Sequence, residues 1–314
     1  MRIGVIGLGA IGGITAQRLI DAGLDVALAA GRHVAAVASK FPKARVSATL
    51  PDGQYDLILL CVRSTETERA LTSAAPLLKP DGAVVCVQNG LPEERAARMV
   101  GPSRVLGAVI GWSASMVEPG EYRLTGGGNF TLGGDSPRLE HARHVLQQAF
   151  PVRVTRNLAG ARWSKLAMNC AMSTLGAVSG LSLGELASRR DVRKLALRIM
   201  AEVVDAAKAK GVVLEPIAGI RPDLLVRLPA PLAHAAIWMA ARLRPTQRSG
   251  MIARLREGRP AGVEDLNALI DAPLNRALVR QVQEIERGER PISPENLAEL
   301  THVGSRGFRD APTQ

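Results

Sequence analysis

The first thirty-three residues leave this chain few folds to adopt. Ile3, Val5 and Ile6 form a short apolar run of the kind that buries as a parallel strand. Gly7-Leu8-Gly9-Ala10-Ile11-Gly12 follows in G-x-G-x-x-G spacing. Ile14, Ala16, Leu19 and Ile20 then recur at helical spacing, Gly23 is placed to end the helix, and residues 25–30 read as a second strand. Each motif glycine has a mechanical reason. Gly7 permits the tight turn out of the strand, Gly9 lets a pyrophosphate approach the backbone, and Gly12 lets helix and strand pack closely. The helix N-terminus offers free N–H groups and roughly half a positive charge to phosphate. A bare glycine pattern is weak in a chain with 31 glycines; lying inside a β-α-β unit, it predicts a dinucleotide site.

The end of the second strand bears on which dinucleotide. An NAD site usually carries an acid there for the ribose 2′-hydroxyl. Here the residues are Ala29-Ala30-Gly31-Arg32-His33. Arg32 is a planar donor suited to a 2′-phosphate, so NADP(H) is expected; the plainer reading of Arg32 is a surface arginine.

Strand and helix patterns alternate as far as residue 155. Expected strands are 44–50, 56–62, 83–90, 105–116, 121–125, 129–132 and 152–155. Helices are expected from Ser64 or Thr65 to 78 and from Asp135-Ser136-Pro137 to 150, with turns at 80–82, 118–120 and 126–129. Open α/β sheets bind ligands at the carboxyl ends of their strands, which makes Arg63 and Asn89 candidates to touch cofactor or substrate; loop structure is the alternative. From residue 159 the pattern is helical almost throughout. Two domains are expected, an NADP-binding Rossmann-type domain at 1–157 and a helical substrate and catalytic domain at 158–314.

The helix opening the second part carries Lys165, Asn169 and Ser173 at i, i+4 and i+8, hence on one face, with Leu166, Met168, Cys170 and Met172 expected as core. This stripe reads either as the solvent side of an amphipathic helix or as a cationic donor flanked by amide and hydroxyl groups.

Composition removes several other classes. The net charge of +11 raises nucleic acid as a partner, but aromatics are 3% and no basic block or binding motif appears. Cys61, Cys86 and Cys170 are odd in number and widely spaced, which argues against a disulfide framework and against a metal site, and fits a reducing cytoplasm. Arg2 and the apolar residues after it resemble a signal peptide, but five glycines between residues 4 and 13 make a poor hydrophobic helix. No later run is long enough to span a membrane. Leu232, Ile237, Trp238 and Met239 on one expected helix could be core or the seam of a homodimer.

The chain resembles the ketopantoate reductases (2-dehydropantoate 2-reductases). The likeness rests on Gly7–Gly12, Gln88-Asn89-Gly90, Lys165-Leu-Ala-Met-Asn169, Gly184-Glu-Leu186, Ser249-Gly-Met251 and Gly258-Arg-Pro260. It implies a Rossmann domain followed by an all-α domain like the C-terminal domain of 6-phosphogluconate dehydrogenase. A site in the cleft between them and an NADPH-dependent reduction in pantothenate biosynthesis are also implied. By resemblance, the residues from Gly7 to Gly12 hold the pyrophosphate, Arg32 the 2′-phosphate, and Asn89 lies beside the nicotinamide ribose. Lys165 corresponds to the catalytic lysine and Asn169 to a substrate-binding asparagine; Ser173, where the family usually has asparagine, and Ser249 are further candidates for the substrate site. Arg63 stands where the family usually has lysine. The family has serine at Gly250 and a substrate-contacting glutamate at Gly262, and Glu264 lies two residues further on. These departures fall on substrate recognition. They leave three readings: a ketopantoate reductase, a relative acting on another keto acid or a secondary alcohol, and an NADP(H)-binding sensor without turnover. Arg248 is a candidate for the substrate carboxylate, or a surface arginine.

Overall fold

The structure, a computed structural model, describes residues 1–217 and 219–303. The chain divides into two compact units, Met1–Arg162 and Trp163–Gln314.

In the first unit the strands are β1 (Arg2–Ile6), β2 (Asp25–Ala29), β3 (Arg45–Ser47), β4 (Tyr55–Leu60), β5 (Leu78–Cys86), β6 (Val105–Ile110), β7 (Ser113–Glu118), β8 (Glu121–Gly126), β9 (Phe130–Gly133) and β10 (Val152–Val154). The helices are α1 (Ala10–Asp21), α2 (Val34–Lys40), α3 (Thr67–Ala74), α4 (Glu93–Val100), α5 (Leu139–Leu146) and α6 (Leu158–Met168), which runs across the division into the second unit. Eight strands form one sheet in the order β10-β9-β6-β5-β4-β1-β2-β3, parallel except for the β6–β9 pair. The run β3-β2-β1-β4-β5-β6 is the doubly wound order, whose direction reverses between β1 and β4.

Alternation along the buried strands explains the layers. Leu57 and Leu59 join Ile3 and Val5 in a core with Ile14, Ala16 and Leu19 of α1 and Ala142, Val145 and Leu146 of α5. Ile58 and Leu60 face the other way, toward Leu71 and Ala74 of α3 and Ala96 and Val100 of α4.

Three local expectations are corrected. The turn expected at 80–82 lies inside β5, where the register against β4 shifts between the Tyr55–Leu78 and Leu57–Ala83 pairs. The Arg104 guanidinium satisfies the carbonyls this frees, Lys79 O at 2.5 Å and Gly82 O at 3.1 Å. The long strand expected over 105–116 is broken after Ile110, because Trp112 turns in to stack on Phe150 at 4.0 Å between ring centroids. The helix expected to 78 ends at Ala74, with a 3-10 turn at Ala75–Leu77.

β7 and β8 form a separate hairpin that packs on α1. The Tyr122 hydroxyl donates to Leu8 O at 3.1 Å, inside the glycine turn. Its ring lies so close to Gly13 that a Cβ there would fall 2.1 Å from it.

The second unit continues with a π-turn (Asn169–Ser173), then α7 (Thr174–Ser179), α8 (Leu183–Ser188), α9 (Arg190–Ala209), α10 (Pro222–Leu225), α11 (Ala230–Arg242), α12 (Gly250–Arg256), α13 (Pro273–Glu286) and α14 (Asn296–Thr301). Its described residues are helical with no strand, only an isolated bridge between Ile217 and Ile220. On α11, Ile237 is core, whereas Leu232, Trp238 and Met239 are exposed. Among the described residues no helix is long and apolar enough to cross a membrane, and no group of three or more His, Cys, Asp or Glu could hold a metal ion. The three cysteines are free.

Candidate functional site

The carboxyl ends of four neighbouring strands, β2, β1, β4 and β5, carry the candidate cofactor residues of the first unit. After β1, Gly7 takes φ +95°, and a Cβ on it would meet Val62 N at 2.6 Å. A Cβ on Gly12 would fall 2.0 Å from Gly7 O, so strand, turn and helix fit only with glycine at both places. Gly9 is different. It is exposed, precedes α1, and a Cβ there would meet nothing within 4 Å. The fold does not demand glycine at 9; a pyrophosphate seated against the turn would. No side chain caps α1 and its first turn holds no acid, so its leading N–H groups are available to an anion. The glycine turn therefore fits a dinucleotide. Leu8 and Ile11 are half-buried beside it, as is Ala10.

Arg32 follows β2 in a 3-10 turn, exposed, its Nε 3.1 Å from His33 Nε2. Arg63 follows β4, half-buried, with its guanidinium 3.3 Å from Glu66. Asn89 follows β5 and is exposed. Gln88 Nε2 links the last two loops by donating to Arg63 O at 3.3 Å and to Thr67 Oγ1 at 2.7 Å.

Arg162 carries a role that sequence reasoning missed. It is 3% exposed, and its guanidinium donates to Gln88 O at 2.5 Å, to Cys86 O at 2.6 Å and, through Nε, to Glu93 at 2.8 Å. It fixes the end of β5 just before Asn89. The arginine is visible in the sequence, but the two carbonyls it serves are not.

In the second unit, Lys165, Asn169 and Ser173 lie on the half-buried side of their helix. Met168 and Met172 share that side, which corrects their expected place in the core: i+3 and i+7 from Lys165 fall beside it, not opposite. The buried side is Leu166, Ala167, Cys170, Ala171 and Thr174. Burial, reinforced by the Arg244 cation, lowers the Lys165 pKa to about 8, and no carboxylate offsets the shift. Ser249 caps α12, accepting from Met251 N–H at 3.2 Å, and its Cβ lies 3.5 Å from where a Cβ on Gly176 would be. Ser249 is thus brought against the helix that follows Ser173. Arg248 is turned elsewhere, onto Gly180 O and, at 3.8 Å, Glu185. Arg244, which the sequence did not single out, is the arginine whose charge acts on Lys165.

Residues 3–136 match the family model described as Ketopantoate reductase PanE/ApbA, and residues 157–286 match that described as Ketopantoate reductase PanE/ApbA C terminal. The chain belongs to the ketopantoate reductase family. It is 25% identical to a 2-dehydropantoate 2-reductase of Mesorhizobium japonicum over 92% of this chain and 99% of that protein. It is 27% identical to one of Pyrococcus horikoshii over 68% of this chain and 75% of that protein. A PanE/ApbA family ketopantoate reductase structure from Ralstonia eutropha superposes with a TM-score of 0.77 at 27% identity, covering 92% of this chain and 99% of that one. The ternary structure of D-mandelate dehydrogenase with NADH and anilino(oxo)acetate shares the fold, with a TM-score of 0.74 at 19% identity over 96% of both chains.

Against the ketopantoate reductase pattern, the two glycine departures differ physically. Gly250 opens α12, and a Cβ there would meet nothing within 4 Å. Gly262 is buried, with φ +91° and ψ +31°, and precedes a 3-10 turn (Val263–Asp265). Glu264 therefore stands in a 3-10 turn. A glutamate at 262 would need the left-handed conformation that side chains resist.

Proposed function

We propose that the protein is an NADPH-dependent reductase of a 2-keto acid, of 2-dehydropantoate 2-reductase type. The observation that carries the reading is Lys165. It is a half-buried cation with its pKa lowered to about 8 and no carboxylate neutralising it, on the same helix side as Asn169 and Ser173. The bound nicotinamide would supply the hydride to the carbonyl carbon. Lys165 as the ammonium would polarise the carbonyl oxygen and give it a proton as negative charge develops there. A positioned acid is worth roughly 10²–10⁴ in rate, most when its pKa lies near the working pH. Asn169 and Ser173 would orient the substrate with Ser249, and Arg244 is better placed than Arg248 for its carboxylate. The residues from Gly7 to Gly12 would hold the pyrophosphate, Arg32 the 2′-phosphate, and Asn89 and Arg63 the nicotinamide half. Residues 1–157 and 158–314 are proposed as the cofactor and substrate domains.

The backbone at Gly262 favours a second reading within the same chemistry, a 2-keto acid other than ketopantoate. The test is NADPH oxidation against a panel of 2-keto acids, with titration of both reduced cofactors. Turnover of ketopantoate supports the first reading, and turnover of another member of the panel the second. Cofactor binding without turnover of any would leave a sensor, and tighter binding of NADH would overturn the NADPH assignment.

A further inference from the structure

The helix carrying Lys165 is not a regular α-helix. At Thr174 the backbone N–H reaches back five residues to Asn169 O, forming the π-turn. This leaves the carbonyl of Cys170, which an α-helix would have given to Thr174. Asn267 takes it, its Nδ2 donating to Cys170 O at 3.0 Å. Asn267 is fully buried and every polar atom of its side chain is engaged. Its other N–H donates to Asn275 Oδ1 at 2.9 Å, and its Oδ1 accepts from the Thr174 hydroxyl at 2.6 Å. Asn275 is fully buried too, and its Nδ2 donates to Glu202 at 2.8 Å. The Glu202 carboxylate in turn accepts the first N–H groups of α13, from Leu274 at 2.9 Å and Asn275 at 3.0 Å. The network runs from α9 through the start of α13 to the one turn that breaks α-helical register between Lys165 and Ser173.

We propose that Asn267 is a positioning residue: by occupying the Cys170 carbonyl and the Thr174 hydroxyl it holds the π-turn, and so sets the aim of Asn169 and Ser173 relative to Lys165. Without it, the helix relaxes toward i→i+4 bonding; the three groups still share a broad face, but Ser173 turns away from its alignment with Lys165 and Asn169. The inference rests on the reductase reading for its activity readout.

The experiment compares wild type, Asn267→Ala and Thr174→Val with NADPH and the 2-keto acid the wild type reduces. Displacements of about 1 Å cost on the order of 10²-fold in rate, so kcat should fall about ten- to a hundredfold. The Kd for NADPH should change less than twofold, and the deuterium isotope effect from labelled NADPH on kcat should rise. In a Lys165→Ala background the same substitutions should have little further effect on turnover. A purely structural role would instead lower Tm while leaving kcat per NADPH-binding site unchanged, and that result overturns the proposal. Should Asn267→Ala fail to fold, Thr174→Val, which keeps the shape and removes one hydroxyl, decides alone. A wild type inactive on every 2-keto acid fails the reductase reading and the proposal with it; an active wild type with unchanged variants fails the proposal alone.

Discussion

In the proposed reductase Lys165 is the acid, and its environment would give that chemistry a pH signature. Its folded pKa of about 8 lies below the ordinary 10.5. Reduction needs the ammonium, so kcat/KM for the keto acid should be flat below about pH 8 and fall above it. Oxidation of the hydroxy acid, which needs the free amine, should rise through the same range, and initial-rate profiles in both directions check this. Lys165→Ala should fold, retain NADPH and lose about 10²–10⁴ in turnover. The same shift predicts a stability effect. Between pH 8 and 10.5 the unfolded chain holds more protons at this lysine than the folded one, so its burial cost is fully present below pH 8 and fades as pH rises. Lys165→Met should therefore stabilise the fold most at neutral pH, as read from denaturant midpoints across pH. The two glycines should separate as well. Gly250→Ser should leave stability within about 0.5 kcal/mol. Gly262→Glu should cost about 1–2 kcal/mol for the left-handed backbone, and should not raise ketopantoate turnover.

At the scale of elements, legibility followed locality. The glycine turn, α1 and β2 lie within thirty residues and each is dictated by its own neighbours, so the β-α-β unit could be read directly. The polar stripe of the Lys165 helix was equally local. Met168 and Met172 are apolar enough for a core, but their angular position puts them beside Lys165. The π-turn was not legible. The carbonyl it releases is taken by an asparagine 97 residues away, and a lone buried Asn267 has no periodicity to betray it. Gly262 could be seen as a departure, but its positive φ could not. The glycine turn itself offers a comparison between a fold requirement and a ligand requirement. Gly12→Ala should unfold or severely destabilise the first unit, because its Cβ meets backbone at 2.0 Å. Gly9→Ala should leave Tm nearly unchanged while weakening NADPH binding at least tenfold, by calorimetry. Loss of stability without loss of affinity would mean that the turn serves the fold alone.

For the whole molecule, the division falls inside α6, at a helix and not at a loop. Arg162 belongs to the first unit through Cys86 O, Gln88 O and Glu93. A fragment ending at 157 would strand a carboxylate and two carbonyls, at about 1–3 kcal/mol for each unsatisfied buried group. A fragment ending at 168 should unfold at distinctly higher denaturant concentration than one ending at 157; equal midpoints would show that Arg162 contributes little.

The Tyr122 ring beside Gly13 has its own consequence. Gly13 looks like one more letter of a nucleotide signature, yet what confines it to glycine is an aromatic side chain that arrives more than a hundred residues later. The two positions form a single steric unit, and mutational drift at either should be tolerated only as a coupled exchange. A relative with alanine at the first should carry a smaller side chain at the second, and would then lack the hydroxyl that tethers the turn.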